Sequence, residues 1–372
     1  MRRLLPAVCL LALISGRAYA DANLLPGLVH AAAFVPITLP DGSEARLEAA
    51  ILRPHGAGRF PLVLLVHGTP RRLEGIEHMS PEAYIGVAVA FATRGYAVVS
   101  ILRRGFGRSS GPYAERYWGT CNNRDYLQVG RISAEDVIGA VAALRREPWV
   151  DPAKVVLLGH STGGFAVTAA AATNPPGVVG ILDIAGGRGS DASDHVCSED
   201  SLVSDVKAFG ATARVPALWV YAENDHFFGP ALARRMLAAY TAGGAPVRLI
   251  MLPAIGADGH AALQMAPDEV IGPPVEAFLA SLGLPTKVTI ALPPPPPLPE
   301  PAGLNRGCAL SFRAYVAARL EAKAFAINPE GHCGFRIGAR SADEARQAAL
   351  DACLNRATDC KVYAVGQSLA AQ

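Results

Sequence analysis

The chain reads as an α/β protein: a mostly parallel sheet with helices on both faces, followed by a small disulfide-stapled α+β module. Three observations predict this. Short unbroken apolar runs, such as Pro61–Val66, Val155–Leu158 and Val215–Ala222, recur between longer segments, and Pro246–Leu252 is apolar but for Arg248. Strands that are buried on both faces of a parallel sheet read in that way. The pentapeptide Gly159-His160-Ser161-Thr162-Gly163 joins one such run to the small-residue segment Gly164–Ala172, a strand–turn–helix signature. An unbroken proline run, Pro293–Pro297, then separates a cysteine-bearing C-terminal segment from the rest.

In the pentapeptide the glycines leave room for a sharp turn, so the serine oxygen stands above the sheet edge. The same turn sets the Thr162 amide at a helix N-terminus, where an oxyanion can be held. Two further strands end in chemistry-bearing residues. Val215–Ala222 is followed by Glu223-Asn224-Asp225, and Pro246–Leu252 by a loop containing Gly259-His260. Ser161, Asp225 and His260 therefore lie at the carboxyl ends of three strands, which a parallel sheet brings to one edge. In that order they are a nucleophile, an orienting acid and a general base. Glu223 competes with Asp225 as the acid, and Asp225 is preferred. Asp258 reads as a turn residue and His67 as a structural residue under the loop after its strand. His160 reads as the variable residue of the turn, and His226 as lining the acid loop. His30, His55, His78, His195 and His332 read as solvated or structural.

Residues from about 30 to 284 resemble a serine α/β-hydrolase. They are most similar to dienelactone-hydrolase-like esterases and the catalytic domains of prolyl-oligopeptidase-type peptidases. Beyond the pentapeptide, Pro61–Gly68 resembles the third strand and oxyanion loop of that superfamily. Arg94–Ser100 with Arg104-Gly105-Phe106-Gly107-Arg108-Ser109 resembles the fourth strand and its glycine-rich turn. Ala134–Ile138 resembles the opening of the helix before the nucleophile strand. The resemblance implies that the amides of Thr69 and Thr162 form the oxyanion hole. One departure stands out: dienelactone hydrolases use a cysteine nucleophile, and this chain has Ser161.

The 372 residues, 51% of them hydrophobic, suffice for a catalytic domain with a substantial core plus something small. Met1–Ala20 carries the basic start, apolar stretch and Ala18-Tyr19-Ala20 site of a secretory signal peptide, and the stretch is short for a membrane span. The expected organisation is a signal peptide (1–20), a catalytic domain (21–284), a proline-rich linker (285–304) and a small α+β module (305–372). Removing Arg2, Arg3 and Arg17 from 34 basic residues against 32 acidic ones turns the formal charge of +2 into −1. That balance and the lack of a basic, aromatic-interleaved stripe argue against a nucleic-acid partner. The Arg103, Arg104 and Arg108 group reads as structural or as a site edge.

Six cysteines remain in the mature chain, and an exported, periplasmic or secreted protein would pair them. Cys121 and Cys197 both fall in loops at the carboxyl edge of the sheet, so a bond between them would tie two walls of the site mouth. In the module the expected pairs are Cys308–Cys333 and Cys353–Cys360. Lys323–Ile327, Cys333–Ile337 and Asp359–Val365 read as strands, and Ser341 opens a helix with capping-box spacing. This module shows no acid, base or ligand cluster; an unknown envelope component is a conceivable partner. The linker is expected to be an extended spacer.

Tyr113, Tyr117, Trp118 and Phe227 are candidate pocket walls, and the short Gly186–Thr212 segment implies a small lid over a fairly open site. No cofactor or metal is expected. The favoured reading is an exported hydrolase of small or medium carboxylic esters that works through an acyl-serine. The alternatives are a serine peptidase, for which Arg103, Arg104 and Glu115 would be the conceivable terminus binders, and an envelope-binding protein with a vestigial catalytic domain.

Overall fold

The computed structural model describes residues 17–18, 24–116, 119–266 and 268–370. Apart from Arg17–Ala18, the expected signal peptide lies outside them. The central sheet contains strands β1 (Leu28–Thr38), β2 (Glu44–Pro54), β3 (Phe60–Val66), β4 (Ala97–Ile101), β5 (Val150–His160), β6 (Val178–Ile184), β7 (Ala217–Ala222) and β8 (Val247–Leu252). Their order is β1-β2-β4-β3-β5-β6-β7-β8, with Arg17–Ala18 pairing outside β1. β1, β2 and β4 pair antiparallel in sequence, and every pairing from β4 onward is parallel.

The unbroken apolar runs follow from this arrangement, because successive side chains in a strand point to opposite faces. Leu62, Leu64, Val66, Val155 and Leu157 join one core with helices α2 (Tyr126–Leu144), α3 (Thr162–Ala171), α4 (Glu199–Thr212) and α5 (Pro230–Ala242). Val63, Leu65, Val156 and Leu158 join the other with α1 (Ile85–Ala92) and α7 (Asp268–Ser281); a short helix, α6 (Ala262–Met265), precedes α7. Helix α2 begins eight residues before the expected opening at Ala134, because the Asp125 carboxylate caps the Gln128 amide at 2.8 Å. Tyr126, Val129, Gly130 and Ser133 then continue its buried face N-terminally. Among the described residues, no helix is long and apolar enough to cross a membrane.

The expectation of a free linker needs correction. Its first part is strapped to the catalytic body: the amides of Thr289 and Ile290 donate to the Thr93 carbonyl at 2.8 and 3.0 Å, and the Tyr96 hydroxyl donates to that of Pro285 at 2.7 Å. Ile290 and Leu292 pack against the α1 core, so apolar residues between the prolines outweigh the proline tendency to stay solvated.

The C-terminal module has an antiparallel sheet in the order β10 (Cys333–Ile337), β9 (Lys323–Ile327), β11 (Lys361–Val365), β12 (Ser368–Leu369). Helix α9 (Ala342–Leu354) starts where Ser341 accepts from the Glu344 amide at 3.1 Å. Helix α8 (Arg306–Ala317), which the sequence reading did not anticipate, is capped by Asn305 on the Cys308 amide. All three expected disulfides form: Cys121–Cys197, Cys308–Cys333 and Cys353–Cys360. The module docks on the catalytic body through Arg340, which bridges both oxygens of Glu48 at 2.6 and 2.9 Å.

Candidate active site

Strand β5 delivers Ser161 into a tight turn with φ 57° and ψ −123°. A non-glycine residue in that region stores on the order of 1–3 kcal/mol of strain, which the surrounding packing must hold. The packing is close: a Cβ on Gly159 would lie 2.2 Å from the Gly163 carbonyl oxygen, and one on Gly163 would lie 2.2 Å from that of Val66. Glycine is required at both positions, and the turn can take no other shape.

Three loops meet Ser161. His260 Nε2 lies 3.0 Å from Ser161 Oγ, and His260 Nδ1 lies 3.1 Å from Asp225 Oδ2. Asp225 Oδ1 accepts the amides of Phe227 and Phe228 at 2.7 and 2.9 Å. Burial pushes the Asp225 carboxyl up, but the His260 contact and the two amides outweigh it, and the group is held below its ordinary value. The competing acid, Glu223, is exposed. Asp258 is the turn residue expected of it, accepting the amides of His260 and His226 at 2.9 and 3.1 Å.

His260 is fixed from two further sides. Its carbonyl is 2.7 Å from His160 Nε2, and His160 Nδ1 is 2.9 Å from the Tyr84 hydroxyl, which accepts the Gly68 amide at 3.3 Å. Burial and the neighbouring His260 hold His160 down to about 4, so the ring is neutral. It donates through Nε2 and accepts at Nδ1. His160 thus links the base loop to the loop after β3, a role that its place in the pentapeptide did not reveal. On its open face the His260 ring is stacked on Phe227, with centroids 3.9 Å apart at 12°. The Arg71 guanidinium covers the Phe227 ring at 3.5 Å. Phe227 is therefore held between base and cation as well as being a pocket wall.

The amides of Thr69 and Thr162 flank Ser161, and among the described residues neither donates within the protein. Their hydroxyls touch at 2.8 Å. Beneath them lies a fully buried ion triad. Arg103 pairs with both oxygens of Glu115 and donates to the His67 carbonyl at 2.5 Å, to Thr162 Oγ1 at 3.1 Å and to Thr69 Oγ1 at 3.3 Å. Arg188 completes the triad on Glu115 at 2.8 Å. Burial raises the Glu115 carboxyl, yet Arg103 and Arg188 together bring it down to about 2. His67 is buried under the loop as expected: its Nε2 accepts the Arg103 amide at 3.0 Å, and burial with the Arg103 charge holds it down to about 3. Arg103 and Glu115 are thus consumed inside the protein and cannot bind a peptide terminus. Arg104 is likewise engaged, by Asp136 at 2.5 Å and Glu135 at 2.8 Å. The sequence signal for the triad was weak, because Arg188 sits in the featureless run Gly186-Gly187-Arg188-Gly189.

The cleft over Ser161 has a volume of about 590 Å³ and is walled by Thr69–Arg71, Tyr113, Arg116, Arg124, Gly189–Asp191, Phe227 and Phe228. Of the four candidate pocket walls, Tyr113 and Phe227 line it, and Tyr117 and Trp118 lie outside the described residues. The Cys121–Cys197 bond ties the loop Gly119–Arg124 to the hairpin Ser190–Ala192/His195–Val196 that borders the cleft, while α4 packs in the core. Asp191 and His195 gather beside that bond, whose sulfurs are committed to each other.

Comparison with known proteins agrees with this architecture. The model of the X-Pro dipeptidyl-peptidase (S15) family matches residues 41–244, more than half of the chain. The uncharacterised peptidase YuxL of Bacillus subtilis is 26% identical over 225 residues, covering 55% of this chain and 32% of that protein. The quorum-quenching protein AidA of Acinetobacter baumannii is 30% identical over 134 residues, 36% of this chain and 38% of that one. The chain therefore spans about a third of the length of these curated relatives. Among solved structures, the acetyl xylan esterase of Paenibacillus sp. R4 shares the fold, with a TM-score of 0.50 at 16% identity over 73% of this chain and 88% of that one. By its family match the chain belongs to the X-Pro dipeptidyl-peptidase (S15) family, and its fold is that of the α/β-hydrolases.

Proposed function

We propose that the protein is an exported hydrolase of carboxylic esters, with Ser161 as nucleophile, His260 as base and Asp225 as orienting acid. Ser161 Oγ attacks the ester carbonyl as its proton passes to His260 Nε2. The oxyanion develops toward the Thr69 and Thr162 amides, where each donor is worth about 10²–10³ in rate. Collapse expels the alcohol, which takes the proton back from His260. Water then repeats the sequence on the acyl-serine, releasing the acid and free Ser161. Asp225 keeps the proton-bearing Nδ1 turned inward throughout.

The observation that favours esters over peptides is the acid inventory of the cleft. A peptidase that grips a free amino terminus needs an accessible carboxylate. Among the described lining residues the acid is Asp191, whose Oδ1 is already 2.5 Å from His195 Nδ1. Glu115, beside the lining residue Arg116, is locked between Arg103 and Arg188. A dipeptidyl-peptidase activity is the second reading, supported by the family match and by YuxL. Export is supported by three disulfides, which persist in oxidising compartments.

The test is turnover of 4-nitrophenyl esters against X-Pro 4-nitroanilides, each with Ser161→Ala as control. Ester turnover that falls at least about 10⁴-fold in the variant supports the proposal. Turnover of anilides without esters would replace it by the peptidase reading, and loss of neither in Ser161→Ala would remove Ser161 from the chemistry.

A further inference from the structure

The lining of the cleft is unevenly charged. Arg71, Arg116 and Arg124 reach it from separate segments, against one acid, Asp191, which is occupied by His195. Below it, Arg103 and Arg188 share the single carboxylate of Glu115, and the ionised Asp225 behind His260 balances the positive charge they leave, so the excess lies at the rim. Nearby, His226 Nδ1 lies 2.8 Å from Asp194 Oδ1.

Arg71 is also preorganised. Its Nε donates to Ser190 Oγ at 3.1 Å, its Nη2 to the His226 carbonyl at 2.9 Å, and its plane lies on Phe227. Nη1 has no hydrogen-bond partner among the described residues. A guanidinium fixed on three sides with one edge open loses little rotamer freedom when it takes a carboxylate. Arg116 is exposed and makes no hydrogen bond or ion pair to another described residue.

We propose that the substrate is an ester carrying a carboxylate, recognised by Arg71 and Arg116 at the cleft rim. This rests on the hydrolase reading above and adds the class of substrate to it. The carboxylate can belong to the acyl part, as in a monoester of a dicarboxylic acid, or to the alcohol part, as in a hydroxy-acid leaving group.

Two substrate pairs distinguish these sources. 4-Nitrophenyl hydrogen glutarate against 4-nitrophenyl pentanoate tests the acyl side. 4-(Pentanoyloxy)benzoate against its methyl ester tests the leaving side. The anionic member of at least one pair is expected to have the higher kcat/KM by about 10–100-fold at low salt, shrinking several-fold near 0.5 M salt. Arg116→Gln and Arg71→Gln should each reduce that ratio, whereas Lys154→Gln, the same loss of charge at the far end of β5, should leave it in place. Equal rates within both pairs overturn the inference and leave the ester hydrolase standing. If no ester turns over, binding decides: Ser161→Ala is titrated with methyl hydrogen glutarate and with methyl pentanoate. Tighter binding of the charged ester supports the inference independently of activity, and equal or absent binding overturns it.

Discussion

Replacing Arg103 by methionine removes a fully buried guanidinium and its five hydrogen bonds while keeping much of the stem volume. Glu115 is left with Arg188 alone, and the His67 carbonyl loses its donor. Breaking a buried ion pair by removing one partner costs about 3–5 kcal/mol, a large share of the roughly 5–15 kcal/mol that holds a domain folded. The effect on turnover follows from different contacts. Arg103 holds the Thr69 and Thr162 hydroxyls, and their amides are the proposed oxyanion donors. Outright loss of one donor costs about 10²–10³ in kcat. Donors that are loosened and still present should cost about 10–100-fold, with KM within about twofold because the change acts on the transition state. Arg103→Lys keeps the charge without the fork and should recover part of kcat. Urea unfolding and steady-state kinetics on the best ester measure both effects. A folded Arg103→Met protein with kcat within twofold of the parent would refute the positioning role.

Three other outcomes are expected. Replacing Cys121 and Cys197 together by serine frees a span of 76 residues, a chain-entropy loss of about 4.5 kcal/mol against about 2.4 for the seven-residue Cys353–Cys360 span; urea unfolding should rank the two pairs in that order. Asp183 is buried beside Thr168 and is pushed up to about 7 by burial, so the folded state keeps a proton that the unfolded chain releases near pH 4. Its contribution is therefore fullest below pH 4 and falls by about 1.4 kcal/mol per pH unit up to about pH 7; Asp183→Asn should flatten that slope, and an unchanged slope would exclude Asp183 as its source. Phe227→Leu removes the stack on His260 and the seat of Arg71, and is expected to lower kcat about tenfold, in the range by which misplacing a catalytic group slows turnover; pre-steady-state acylation rates would show whether the loss lies in the Ser161 step.

Much of the catalytic layout was legible in the chain because the superfamily order is local. Each of Ser161, Asp225 and His260 follows its own apolar run, and a parallel sheet carries strand ends to one edge. The Cys121–Cys197 bond was legible for a similar reason, since only those two cysteines fall in the catalytic part, whereas the four cysteines of the module allow three pairings and only the structure chooses among them. Helix α2 was misjudged at its start although Asp125, with Gln128 three residues on, has the spacing of a helix N-terminus. The linker was read from its prolines, and the apolar residues Ile290 and Leu292 that bind it down carry no periodic signal. Of the supports of the site only Arg103 was marked in the sequence, as structural or as a site edge. Tyr84, His160, Arg71, Arg103, Glu115 and Arg188 come from six places in the sequence, and their charges and hydroxyls gain meaning only from their partners.

By itself the sequence located the candidate nucleophile, acid and base, because each needs a particular residue type at a strand end, and those types are visible one at a time. The tertiary structure alone decided how the oxyanion loop is charged and what the cleft can hold. Burial makes a lone charge costly and a paired one directional, so whether Arg103 supports the site and Arg71 faces it depends on neighbours twelve to 155 residues away.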